Sequence, residues 1–277
     1  MRIFGHFLFS AALAVLLACF CGALSSGSAT AEDESTSLAS ETQLEKASAA
    51  ETNPALIPVD RKNEWWVKRH EANKARIAQG NVDFLLIGDS ITHIWDNAGA
   101  EVQEYYYGDR NYVNMGFGGD LTQHVLWRLE DAPMEKIHPK AAMLLIGANN
   151  VCVKRPNIAE ETAFGIRACV DKLLSLYPDI KILVLPIFST GQYPDFPVRK
   201  TIKDVNVLLP GMFAGEKYKN VTLKDIDYLW LGEGGKIPKY LMPDYDHPGK
   251  LGCKLWGAEV EEWVANALGV APKEPMQ

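Results

Sequence analysis

Basic charge is scarce in this sequence: 28 Lys and Arg stand against 35 Asp and Glu, a formal charge of −7 over 277 residues. Gripping a phosphate backbone takes a surplus of cations, so nucleic acid is not expected as a partner. Cysteine is scarce too, five in all. No C-x-x-C pair and no His/Cys/Asp cluster has metal-ligand spacing, so no metal site is expected. The one glycine-rich run, GFGGDL, has Leu121 where a dinucleotide loop needs its third glycine. Internal repeats are missing as well. Apolar residues, by contrast, are plentiful at 47%. That is enough for one well-filled core, while the length is short for two large domains.

The N-terminal part of the chain is set apart by composition. Residues 1–31 carry Arg2, an apolar run and the small residues Ala29-Thr30-Ala31, the pattern of a cleaved export signal. A retained anchor helix is the alternative, since the run from Ile3 to Leu24 is near bilayer length. Leu16-Leu17-Ala18-Cys19 also resembles a bacterial lipobox, which would make Cys19 a lipid anchor. The chain is therefore expected to be exported, to the periplasm or beyond, either free or lipid-anchored. Residues 32–57 are rich in Ser, Ala, Glu and Thr, lack aromatics, and hold six acids against Lys46. They read as a solvated acidic tether, and most of the chain's acidity resides there. Three cysteines remain in the mature part. Cys152 and Cys169 could bridge with Cys253 left free, or all three could be small core residues.

The folded part is expected over 58–270, as an α/β domain. A helix is predicted from Asp60 to Gln79, with Asp60 as N-cap, Gly80 as its stop, and Trp66, His70 and Ile77 on one face. Short apolar runs at Val82–Ile87, Tyr112–Met115, Ala141–Ile146, Ile180–Leu185 and Val221–Ile226 read as strands. Stretches of helical period at Asp96–Tyr106, Leu121–Leu129, Ala159–Leu176, Val198–Leu209 and Lys250–Leu268 separate and follow them. Apolar strands alternating with helices imply a parallel sheet covered on both faces, with its ligand site at the carboxyl ends of the strands.

Polar and glycine-rich clusters do follow the first three strands: Gly88-Asp89-Ser90, Gly116-Phe117-Gly118-Gly119-Asp120 and Gly147-Ala148-Asn149-Asn150. A fourth, Asp244-Tyr245-Asp246-His247, precedes the last helix. Together they could assemble acyl-transfer chemistry. Ser90 stands at a strand-to-helix turn, His247 is an available base, and Asp244 could orient its ring. The backbone N–H groups of Ser90 and Gly119 and the side-chain amide of Asn149 could receive an oxyanion. Singly, each has a bland counterpart: a helix cap for Asp89 and Ser90, a tight turn for the glycines, a turn cap for Asn149, a surface pair for Asp244 and His247. Their order along the chain and their positions at strand ends favour the joint reading.

These blocks, GDS, GGD, GxNN and a late DxxH, resemble those of the SGNH (GDSL-like) hydrolases. GGDLTQHVLWRLE, with WWVKRHEANKARIAQGNVDFLLIGDS, IHPKAAMLLIGANN and GQYPDFPVRK, resembles the catalytic subunits of intracellular platelet-activating-factor acetylhydrolase within that family. The resemblance, from about Trp65 to Trp256, implies a flavodoxin-like three-layer α/β/α sandwich with a five-stranded parallel sheet. It implies Ser90 as nucleophile, Asp244 and His247 as the rest of the triad, and Ser90, Gly119 and Asn149 as the oxyanion hole, without metal or cofactor.

The expected activity is therefore hydrolysis of an ester with a short acyl group, acetyl by resemblance. A small-molecule or polysaccharide ester is the expected substrate. Alternatives on the same triad are a lysophospholipase or thioesterase, and a non-catalytic surface binding module would show an eroded triad. The segment Asp227 to Tyr240 is expected to rim the cleft, where Tyr228, Trp230 and Tyr240 could stack on a sugar or close the core. His124 and Arg128, one helical turn apart on the helix after Gly119, could touch substrate, but a structural hydrogen-bonding pair is the favoured reading.

Overall fold

The computed structural model describes residues 53–277. The expected signal at 1–31, with Cys19, lies outside the described residues, as does the expected tether up to residue 52. The elements are, in chain order, α1 (Glu64–Ala78), β1 (Phe84–Gly88), α2 (Ser90–His93), α3 (Ala100–Tyr107), β2 (Tyr112–Gly116), α4 (Thr122–Asp131), β3 (Ala141–Leu145), α5 (Ile158–Leu176), β4 (Lys181–Val184), α6 (Pro197–Met212), β5 (Val221–Leu223) and α7 (Lys250–Leu268). The five strands form one sheet of order β2-β1-β3-β4-β5, every pair parallel. This is the α/β fold expected from the strand–helix alternation.

Strands β1 to β4 are largely buried on both faces, the edge strand β5 less so, and their side chains alternate between two apolar layers. Leu85, Ile87, Val113, Met115, Ala142, Leu144, Ile182 and Val184 pack with Val125, Leu129, Ile166, Val170 and Val205 of α4, α5 and α6. Phe84, Leu86, Met143, Leu145 and Leu183 pack on the other side with Trp95, Tyr106, Trp256, Val260 and Val264. Each fully buried side chain of this size contributes about 1.5–3 kcal/mol, so the two layers together fix the sheet against its helices. The chain order reverses at β1, whose neighbours β2 and β3 lie on opposite sides. That switch point is where a doubly wound sheet opens a crevice.

Three expectations change. First, α1 begins at Glu64, not Asp60. The preceding residues stay extended because the Arg61 side chain is drawn to Gly118 and Asp120, and Asp60 pairs with Lys62 instead of capping. The expected inner face, Trp66, His70 and Ile77, is the buried one. Second, the fold reaches past 58–270. Asn53 is buried and donates to Glu161 O at 3.1 Å, Thr122 Oγ1 donates to Ala55 O at 2.9 Å, and Lys273 N donates to Glu261 Oε1 at 2.7 Å. Third, Cys152, Cys169 and Cys253 are all free. Cys169 is buried within α5 while Cys152 is exposed on the turn after β3, so no bridge joins them.

Candidate active site

The crevice is floored by two glycines. Gly88 and Gly116 are register partners at the ends of β1 and β2. A Cβ on Gly88 would lie 2.2 Å from Leu145 O, and one on Gly116 would lie 2.3 Å from the His93 amide nitrogen. Only bare backbone lets α2, which starts at Ser90, rest on the strand ends. Asp89 caps that helix: its Oδ1 accepts from Ile91 N at 3.0 Å. The Ser90 N–H is left without an acceptor among the described residues.

The residues expected at the site come together. Ser90 Oγ lies 2.8 Å from His247 Nε2, and His247 Nδ1 lies 2.8 Å from Asp244 Oδ2, joining groups 157 residues apart in the chain. Asp244 Oδ1 also accepts from the amides of Asp246 (3.0 Å) and His247 (2.8 Å). Partial burial acts to raise the Asp244 carboxyl, but the hydrogen bonds from the His247 amide and ring and the Asp246 amide outweigh it and hold the group below the usual carboxylate range. With Nδ1 donating to this carboxylate, Nε2 is the ring acceptor that faces the serine hydroxyl.

The His247 turn is braced from outside. Tyr245 takes a left-handed φ of 65°, uncommon without glycine, and its carbonyl accepts from Gly191 N at 2.8 Å. Thr190 Oγ1 donates to Asp246 Oδ1 at 2.7 Å. Arg199 in turn donates to the carbonyls of Thr190, Gly191 and Gly235.

Gly119 has a φ of 75° and its N–H has no acceptor among the described residues. Asn149 Nδ2 donates one hydrogen to Asp120 O at 2.9 Å, which leaves its second N–H. Beside Gly119 stands Arg61, whose guanidinium would be 3.3 Å from a Cβ on that glycine.

Other sequence expectations are redistributed. His124 and Arg128 do not bond each other. His124 Nδ1 accepts from Leu121 N at 2.9 Å, while Arg128 is fully buried and donates to Asp120 Oδ2 at 2.9 Å. The Asp227–Tyr240 segment contacts the chain next to Gly191, through Ile237 N donating to Gln192 O at 3.0 Å. Its aromatics divide: Trp230 has no exposure and packs on Phe188, Tyr228 is turned to Glu259 of α7, and Tyr240 is 69% exposed. Arg61, Trp66, Asp120, Thr190 and Arg199 join the site through contacts that their sequence positions do not signal. The partners of Asp120 lie up to 59 residues away, and no local spacing signals them.

The sequence profile of the GDSL-like lipase/acylhydrolase family matches residues 86–255. The chain is 33% identical over 231 residues to platelet-activating factor acetylhydrolase IB subunit alpha2 of Rattus norvegicus, covering 82% of this chain and 97% of that one. Among solved structures, it is similar to an acylhydrolase from Bacteroides fragilis, with a TM-score of 0.60 and 15% identity over 75% of this chain and 100% of the other. It is also similar to an acetylxylan esterase from Geobacillus stearothermophilus, with a TM-score of 0.51 and 16% identity over 69% of this chain and 96% of the other. The chain belongs to the GDSL-like lipase/acylhydrolase family and is a carboxylic ester hydrolase.

Asp89 makes one prediction. Complete burial pushes its carboxyl up to about 7 despite the Ile91 amide bond, with the charges of Asp246 and Asp120 adding to the rise, and its Oδ2 has no partner. The folded state thus keeps a proton that the unfolded chain releases from about pH 4, so this group lowers stability progressively between about pH 4 and 7 and no further above. Asp89→Asn retains the cap acceptor and carries no titrating proton. Its advantage over wild type in urea unfolding should grow across that window and then level off, whereas a constant difference would contradict the assignment.

Proposed function

We propose that the protein cleaves a short-chain acyl ester, an acetyl ester above all, through Ser90, His247 and Asp244. The observation that carries this reading is the unbroken run Asp244 Oδ2···Nδ1 His247 Nε2···Oγ Ser90, with both contacts at 2.8 Å. Ser90 Oγ attacks the ester carbonyl carbon as its proton passes to His247 Nε2. Asp244 stabilises the imidazolium. The carbonyl oxygen, now an anion, is received by the N–H groups of Ser90 and Gly119 and the second N–H of Asn149. Collapse expels the alcohol, which takes the proton from His247. Water then gives a proton to His247 Nε2 and attacks the acyl-serine; the acyl–Oγ bond breaks, Ser90 Oγ takes that proton back from His247, and the acid is released.

The acetyl preference is supported by the name of the rat relative, an acetylhydrolase at 33% identity. That same relationship supports a phospholipid as the alcohol side. A polysaccharide is supported by the export reading of residues 1–31 and by the exposure of Tyr193 and Tyr240 beside the loops that brace His247. We take the chain to be exported and anchored through Cys19, with the tether that holds the catalytic domain off the membrane ending ahead of Asn53, which is packed into the fold.

With p-nitrophenyl acetate, Ser90→Ala should lose roughly 10³-fold or more in kcat, leaving the residual catalysis of binding and the oxyanion donors. Equal rates for Ser90→Ala and wild type would end the hydrolase assignment to this serine. Acetate release from acetylated xylan or pectin, set beside release from a short-chain phospholipid, then decides the alcohol. Separately, radiolabelled lipid should be incorporated into wild type and not into Cys19→Ala; a label in neither means the chain is not anchored there.

A further inference from the structure

The three oxyanion donors belong to different loops, and one residue touches two of those loops. Asp120 follows Gly119 directly, and its side chain has no exposure. Its Oδ1 accepts from Trp66 Nε1 at 2.7 Å and Arg61 Nη1 at 3.2 Å, and its Oδ2 accepts from Arg128 Nε at 2.9 Å. Its amide donates to Phe117 O at 3.1 Å, closing the glycine turn, and its carbonyl accepts from Asn149 Nδ2. The donors bind the turn at further points. Arg61 Nη1 also donates to Gly118 O at 2.7 Å. Arg128 also donates to Met115 O at 3.1 Å and Gly88 O at 3.4 Å, so it joins the ends of β2 and β1.

We propose that Asp120 and Arg61 are positioning residues for ester hydrolysis, setting the separation and aim of the Gly119 and Asn149 donors. The inference rests on the reading of those two residues as oxyanion donors. An oxyanion hole is effective only when its donors are fixed before charge develops, and a displacement of about 1 Å costs on the order of a hundredfold. Each donor here would be loose alone. Gly119 is a glycine in a turn, and the Asn149 amide can rotate about χ2. The Asp120 carbonyl takes one Asn149 hydrogen and directs the other outward. The Asp120 carboxylate, held by three donors, fixes the carbonyl in its turn. Arg61 closes the outer flank, occupying the space over the Gly119 Cα.

A purely structural role, tying α1 to the sheet, would lower the folded fraction but leave the chemistry of the folded molecules alone. The full chain is therefore assayed with p-nitrophenyl acetate as Arg61→Ala, Arg61→Lys, Asp120→Asn, Asn149→Ala and the Arg61→Ala/Asn149→Ala double variant, with thermal melts alongside. Asp120→Asn and Arg61→Ala should each lower kcat about ten- to a hundredfold with KM within about twofold, and Arg61→Lys should recover part of the loss. In the double variant the losses should be well short of multiplicative, because part of the Arg61→Ala effect passes through the donor that Asn149→Ala removes. Fully multiplicative losses in the double variant, or losses that track the melted fraction, overturn the proposal. Should Asp120→Asn fail to fold, the Arg61 cycle decides alone, since that side chain is 21% exposed at the rim. If Ser90→Ala is inactive while Arg61→Ala and Asp120→Asn keep wild-type kcat, only this inference falls. Retained activity in Ser90→Ala removes the hydrolase reading beneath it.

Discussion

A carboxylate without solvent must be paired or neutralised, and the paired Asp120 carboxylate constrains much of the rest of the site. Leaving such a charge unpartnered would cost several kcal/mol, comparable to a large share of a domain's stability. Arg128 on α4, Trp66 on α1 and Arg61 ahead of α1 all converge on it. The consequence is visible in local structure. The chain before Glu64 cannot coil into helix while Arg61 reaches Gly118, and α4 is held against the ends of β1 and β2 by the remaining Arg128 donors. One buried ion pair thereby ties two helices and two strand ends to the turn that carries Gly119.

The sheet supplies the other half of the arrangement. Because β2, β1 and β3 are adjacent and parallel, the three loops that follow them emerge side by side, although they are separated by dozens of residues. The fourth loop arrives from beyond β5, and the Asx turn at Asp244 aims His247 back toward Ser90. Asp244 itself is 58% exposed along its side chain, so its charge is screened by water more than that of a buried triad acid. Its role in the proposed mechanism is mainly to hold the ring's tautomer and direction.

Much of this was legible from residue order. The strand–helix alternation gave five strands whose observed bounds differ from the apolar runs by a few residues at most, and α7 spans Lys250–Leu268 as its period indicated. The site was legible because an α/β sheet converts sequence position after a strand into spatial position at one edge. What could not be read was whatever depends on long-range pairing. Arg128 and His124 have the spacing of a helical pair, yet the stronger pull of a buried carboxylate outranks an i,i+4 contact worth a few tenths of a kcal/mol. Trp230 and Tyr240 sit ten residues apart in one aromatic segment, and only tertiary packing sends the first to the core and leaves the second in water.

Ester cleavage at this site depends on activation of Ser90 by His247. Inactivation by a fluorophosphonate, read by peptide mass spectrometry, tests it directly, because phosphonylation needs the deprotonated serine but no turnover. A single adduct is expected on the peptide containing Ser90, formed about 10³-fold or more slowly in His247→Ala. An adduct on another residue, or an unchanged rate in His247→Ala, would contradict it.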